Sequence, residues 1–540
     1  MQMKTLALTL ILAFSAARTV EWAQAPAQAP AQTPVQPASA GLCTTQTPMT
    51  NPAVGPHWNG WGAGVANTRF QTAEQAGLTA AQVPNLKLKW AFGLPGATSA
   101  RSQPAVGGGR LFVASETSIV YALDAKTGCT YWTFKAQNPV RTAISIGPRQ
   151  PSGYAIYFVD LVGTAYAVDA STGQQMWNRK VEDNPAAKGT GSPTLHDGVL
   201  YVTVSGVNEE NTGSRPANEC CTFRGSVTAL NANTGVVVWK SYTIEEAPRP
   251  RGKSTTGAQL WGPAGVGIWS APTIDTKRGL LYVGTGNSYS DPPVSTSNAV
   301  VAFDLKTGKI KWAKQTLAND VWIGGCNAPG NPNCPEKVGP DHDFSASPMI
   351  ATLANGRELL VIPQKSGMTY ALDPDKEGAV VWEYRMSRGS AVGGVWGGSV
   401  DAQNAYFGVS DYLTPAPGGL HAVSLATGER VWYTPPANPK LCGTVPNCSA
   451  AQSAALTTIP GVVFSNSADG GVRAYSTKDG SVVWLYDTNK SFETVNGVAA
   501  KGASMDTDGP VISGGMVYIT SGVGGLVGRQ GNVVLAFGIE

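Results

Sequence analysis

Charge is scarce in this chain. Asp, Glu, Lys and Arg make up only 14% of its 540 residues, and the formal net charge is +3. No stretch concentrates Lys or Arg, so the electrostatic footprint of a nucleic-acid binder is missing. Histidine is nearly absent: His57, His196, His342 and His421 are the full set, and none stand at the spacing a zinc site needs. No Cys-x-x-Cys-His occurs, which excludes covalent attachment of a c-type haem within this sequence. Long apolar runs are also missing beyond Thr5–Ala17, which is too short to span a bilayer comfortably.

That run, with Lys4 before it and Ala-Gln-Ala at Ala23–Ala25 after it, reads as an export signal over residues 1–25, the alternative being an uncleaved anchor. Residues 26–42 read as a Pro/Ala/Gln-rich linker, and residues 43–540 as one repeat domain. A periplasmic location follows from this reading. Eight cysteines in an exported chain favour disulfides. Spacing suggests Cys326–Cys334 and Cys442–Cys448 as local clasps and Cys220–Cys221 as a vicinal pair, leaving Cys43 and Cys129 for each other.

What is abundant is a repeat. Tyr166–Trp177 reads YAVDASTGQQMW, and the pattern returns at Tyr121–Trp132, Thr228–Trp239, Val301–Trp312, His421–Trp432, Arg473–Trp484 and, with one extra residue, Tyr370–Trp382. Each copy is a hairpin: an alternating strand, an Asp or Asn turn closed by Gly, and a second strand carrying Trp. One hairpin cannot bury its own face, so copies must pack on each other. The C-terminal Asn532–Glu540 has the Ala of the pattern without its Trp, and Asn85–Phe92 has the Trp without its Ala. Joined, they make an eighth copy and close a ring. The expectation is an all-β, eight-bladed β-propeller whose terminal strands complete the last blade. Trp58–Phe70, rich in Gly and aromatics, reads as a cap over it. Intervals between pattern Trps grow from 42 residues at Trp90–Trp132 to 73 at Trp239–Trp312, so the added loops gather in the third to fifth full copies.

The pattern A-x-D-x-x-T-G-x-x-x-W resembles the quinoprotein alcohol dehydrogenases, which hold pyrroloquinoline quinone (PQQ) on the axis of an eight-bladed propeller. Cys220–Ala229, Thr494–Gly497 and Gly509–Gly522 look closest to the polyvinyl alcohol dehydrogenase branch. The resemblance implies a set of roles. Trp269, outside the repeat, would lie under the quinone, and Asn287 would ligate Ca²⁺; a large π-face and a hard amide oxygen suit those tasks. Asp320, in Asn319–Trp322, resembles the general base and a metal neighbour, with Asn319 replacing the family's His and Asp343 as the rival base. Lys365 and Arg141 match positions that contact the quinone. Thr190, Ser205 and Gly206 match further cofactor contacts. Glu209 is the expected second calcium ligand, with Glu210 and Glu219 as rivals. The implied reaction is oxidation of a secondary alcohol such as polyvinyl alcohol, with electrons leaving to a separate acceptor such as a c-type cytochrome. The competing reading is a non-catalytic propeller scaffold of the cell envelope, like the lipoprotein that helps insert outer-membrane proteins.

Overall fold

Each repeat builds two adjacent strands of a four-stranded antiparallel meander. The computed structural model describes residues 41–326, 330–390, 396–412, 414–524 and 528–539; the expected signal and most of the linker lie outside these. In one blade the strands are Ser145–Pro148, Tyr154–Val159, Thr164–Asp169 and Gln175–Lys180. Eight such sheets occur. The eighth pairs Lys87–Gly93 with Val533–Gly538, so the two ends of the chain close the ring, with Trp90 opposite Ala536.

The repeat residues explain the shape. Ala167 faces Trp177 across the hairpin, and the register shifts immediately after that pair. The same Ala–Trp pairing and shift recur at Ala122–Trp132, Ala302–Trp312 and Ala474–Trp484. The bulge turns the Trp toward the next blade. Trp132 Nε1 donates to Ala170 O at 3.1 Å, Trp177 to Ala232 O at 2.9 Å, and Trp484 to Leu86 O at 3.2 Å across the closure. The turn Gly serves this joint as well as the turn. At Gly173 φ is +75°, and a Cβ would lie 2.7 Å from the ring of Trp132. The turn Asp accepts from the two following amides, as Asp169 Oδ1 does from Ser171 N and Thr172 N.

The segment expected to cap the ring instead runs around its inner wall. Trp58 exchanges backbone hydrogen bonds with Val106, and Gly60 N donates to Ile144 O. Val65, Ala66, Thr68 and Arg69 accept from Ile274, Ile350, Val400 and Thr458, and the Gln71 side chain donates to Ile512 O. Residues 58–71 therefore reach the innermost strands of seven of the eight blades. An axial channel lined by strand edges offers unpaired polar groups, and an extended segment satisfies them.

Leu42 already bridges to Thr130, and Cys43 is bonded to Cys129, so the folded domain takes in the last residues assigned to the linker. The other three disulfides pair as the spacing suggested. In a meander blade, the second-to-third turn and the crossover to the next blade share one end. The long insertions all fall in these connections: the helix Val207–Thr212, the hairpin Arg249–Lys253 with Gln259–Gly262, and the loops before Thr273–Asp275 and Met349–Thr352. They give that end of the ring its functional surface. No helix among the described residues is long and apolar enough to cross a membrane.

Candidate active site

Trp269 lies in the crossover just before the inner strand Thr273–Asp275, held by Ile268 N donating to Val204 O. Gly286, in the neighbouring turn, has no side chain for a reason: a Cβ would stand 3.2 Å from Trp269 Nε1 and 3.3 Å from Asp343 Oδ1. The indole and the carboxylate can thus share one small space. Lys365 Nζ lies 5.9 Å from the centroid of the Trp269 ring, at the outer limit of a cation–π contact.

Lys365 follows the strand Glu358–Pro363, with its N donating to Asp343 O. Its ammonium donates to Asp341 Oδ1 at 2.9 Å and Asp343 Oδ2 at 3.0 Å. Asp343 Oδ1 in turn accepts from Asn287 N at 2.7 Å. Glu210 completes the group: Glu210, Asp341 and Asp343 each offer a carboxylate oxygen, all within 4.8 Å of one another. All three are buried. Burial, with the like charge of Asp343, pushes the Asp341 carboxyl up to about 8 against the pull of Lys365. Burial and the two aspartates also raise Glu210 well above the usual carboxylate range. Burial works against the Lys365 charge, but Asp341, Asp343 and Glu210 overcome it and hold its pKa above the ordinary lysine value.

Asn287 supplies a further donor. Its Nδ2 donates to Ser288 O at 2.8 Å and Trp322 O at 2.7 Å, which fixes the amide, while its buried Oδ1 has no hydrogen-bond partner. An orphaned buried acceptor is costly. Beside three crowded carboxylates it is what a hard cation with oxygen ligands relieves.

Two expected residues are not brought into this group. Glu209 spends its carboxylate on the segment after the vicinal cysteines, accepting from Thr222 N at 2.7 Å and Phe223 N at 2.8 Å. Glu210, the next residue on the helix, faces the cluster in its place. Glu219 also stands apart, accepting from Trp261 Nε1. Asp320 is fully buried, but its oxygens are taken by Asn298 Nδ2 (2.6 Å), His342 N (2.9 Å) and Asp341 N (3.1 Å). These contacts tie it to the backbone of the Asp341–Asp343 turn. The rival Asp343 stands in the cluster.

The other expected contacts surround the axis. Arg141, Thr190 and Trp269 line one pocket together with Trp61, Arg101 and Trp396. Arg141 stacks over Trp396 at 5.1 Å, and burial, with the neighbouring Arg101, lowers it to about 10. Two guanidiniums and three indoles suit a flat anionic molecule. Ser205 stands behind this wall, hydrogen-bonded to Thr190 at 2.8 Å. Gly206 makes room for Phe223, whose ring a Cβ would meet at 2.2 Å. Cys220 and Cys221 pack in the core with Phe223, Tyr289 and Ile323. Trp61, Arg101 and Trp396 were not foreseen. Trp396 and Trp61 fall outside the repeat as Trp269 does, and that signal could have found them.

Residues 58–390 match the PQQ family model described as the β-propeller domain of glucose, ethanol and alcohol dehydrogenases. The chain belongs to the PQQ-dependent alcohol dehydrogenase family. It is 45% identical over 93% of its length to a polyvinylalcohol dehydrogenase of Pseudomonas sp., covering 80% of that protein. It is 42% identical, again over 93% of its length and 80% of the relative, to the polyvinylalcohol dehydrogenase of Sphingopyxis sp. strain 113P3. In fold it resembles the quinohemoprotein alcohol dehydrogenase of Comamonas testosteroni, with a TM-score of 0.65, 19% identity, and coverage of 90% of this chain and 80% of the other. A second model, outer membrane protein assembly factor BamB, matches residues 365–535. Most of this PQQ-dependent alcohol dehydrogenase's site, from Arg101 to Lys365, falls within the dehydrogenase match.

Proposed function

We propose that this enzyme oxidises a secondary alcohol to the ketone, with polyvinyl alcohol as the substrate type, using PQQ and Ca²⁺. The observation that carries the reading is the joint presence of Lys365 between Asp341 and Asp343, the unpartnered Asn287 Oδ1, and Trp269 beside them. Two relatives named polyvinylalcohol dehydrogenase support the substrate class.

The residues fit both groups. Glu210, Asn287, Asp341 and Asp343 would hold the cation through oxygen. Trp269 would provide a stacking face for the quinone, and Arg101 and Arg141 would meet its carboxylates. When bound, PQQ supplies the acceptor for the carbinol hydride, and calcium the Lewis acidity that polarises its carbonyl. The protein's own part is positioning and proton transfer. Asp343, in place of Asp320, accepts the hydroxyl proton of the substrate. Lys365 compensates charge that develops beside it. Asp320 keeps the Asp341–Asp343 turn in place through the backbone. With no haem-attachment motif in the chain, electrons pass to a separate acceptor such as a c-type cytochrome. Four disulfides support an exported, periplasmic enzyme.

The test is reconstitution of purified protein with PQQ, Ca²⁺ and an artificial electron acceptor, assayed on secondary alcohols and polyvinyl alcohol. Asp343→Asn should abolish turnover with PQQ binding retained, and weaken Ca²⁺ binding. Asp320→Asn should reduce turnover in proportion to lost stability. Full activity in Asp343→Asn, or no turnover by the parent on any alcohol, refutes the reading.

A further inference from the structure

A polymer poses a problem that a small alcohol does not. When one interior carbinol sits at a buried site, its neighbours on both sides must lie on the same face of the protein. A cavity of about 390 Å³ opens there, in the next blade, lined in part by Met386, Asp411, Thr414, His421, Arg430 and Tyr433. We propose that this cavity is a subsite for the flanking repeats of a neutral chain that alternates methylene and carbinol groups; the proposal rests on the polymer reading above.

One short loop separates the cavity from the cluster. Residues 386–390 lean on the Lys365 turn: Ser390 N donates to Lys365 O at 3.1 Å, and Met386 N and Ser387 N donate to Gly367 O at 2.8 and 3.3 Å. The other side of the same loop forms the cavity wall.

The lining matches a chain that is apolar and hydroxylated by turns. Met386 and the 42%-exposed ring of Tyr433 offer apolar contact, while Asp411, Thr414 and Arg430 offer hydrogen bonds. A purely apolar ligand would strip water from those three without replacing it. The lining carries charge of both signs, Asp411 beside Arg388 and Arg430, and Ser387 Oγ donates to Asp411 Oδ1 at 3.1 Å. The floor is uncharged: the His421 ring is 4.5 Å from that of Tyr433, its Nδ1 is hydrogen-bonded to Tyr384 Oη, and burial, aided by Arg430, lowers its pKa to about 4. Because the 386–390 loop stands between this cavity and Lys365, the subsite would act on chains long enough to pass it.

The experiment compares Tyr433→Ala and the cavity-filling Ala416→Trp with the parent, each reconstituted with PQQ and Ca²⁺. Substrates are 2-pentanol, 2,4-pentanediol and polyvinyl alcohol fractions of increasing length. Both positions are at the surface, and far-ultraviolet circular dichroism checks that the fold is kept. In the parent, kcat/KM should rise with chain length. In the variants the polymer value should fall about tenfold, a difference of ~1.4 kcal/mol, with 2-pentanol unchanged. Unchanged polymer kinetics in the variants, or equal losses on 2-pentanol and polymer, overturn the subsite alone. A parent that oxidises 2-pentanol but no polymer overturns the polymer reading and the subsite with it.

Discussion

Replacing Lys365 by Met tests the cluster most directly, because it removes one charge and keeps the stem. The ammonium lies 2.9 and 3.0 Å from two buried carboxylates, and its side chain is only 13% exposed. At an effective dielectric of about 20, each such contact is worth ~4 kcal/mol in Coulomb terms. Part of that only offsets desolvation, and removing one partner of a buried pair costs about 3–5 kcal/mol. The variant should therefore lose ~4 kcal/mol of stability in metal-free protein, read by equilibrium urea unfolding in EDTA. Without the ammonium the cluster has no cation of its own, so added Ca²⁺ should stabilise Lys365→Met more than the parent. A loss under about 1 kcal/mol, or equal calcium increments in both proteins, would refute the claim that these carboxylates form one electrostatic unit.

Further outcomes follow from the same contacts. Glu210→Gln should weaken Ca²⁺ binding to PQQ-free protein by at least about tenfold in calorimetry, whereas Glu209→Gln should leave it nearly unchanged and lower thermal stability through the lost Thr222 and Phe223 caps. Asp508 is buried, and burial raises its carboxyl to about 7. Its contribution to stability is thus complete below the ordinary carboxylate value and is lost as pH rises through 7. Asp508→Asn should match the parent near pH 4 and exceed it by roughly 3–4 kcal/mol at pH 8, as measured by unfolding across pH. At Gly428 φ is +75° and a Cβ would stand 2.7 Å from Trp382. Gly428→Ala should therefore destabilise by about 3 kcal/mol, seen as a lowered melting temperature.

The ring was legible because its determinants are local and repeated. Ala, turn Asp, Gly and Trp recur at fixed spacing, and the two half-copies at the ends complement each other, as the pairing of Trp90 with Ala536 shows. Trp269, Asn287 and Lys365 were legible as departures from that pattern. Which acidic residues join the cluster was not. Glu209 and Glu210 are adjacent on one short helix, and neighbouring helical residues point about 100° apart. Residue chemistry chooses a carboxylate but not between two in succession. Asp320 stands apart for a different reason. It sits in the Asn319–Trp322 motif, but the chain passes the Cys326–Cys334 loop before Asp341 and Asp343. Spacing along the chain carries no record of which carboxylate ends in the cluster and which on its backbone. The inner course of residues 58–71 was hidden too, since strand edges that need partners around a central hole belong to the closed ring and not to any single segment.

That inner segment changes how the whole ring must behave. A row of repeats fails piecemeal, because each unit knows only its neighbours. Here one stretch of backbone acts as a hub, and seven spokes are hydrogen-bonded to it. Loosening one blade pulls on a strand that the distant blades also hold, so damage on one side is transmitted across the diameter as well as around the rim.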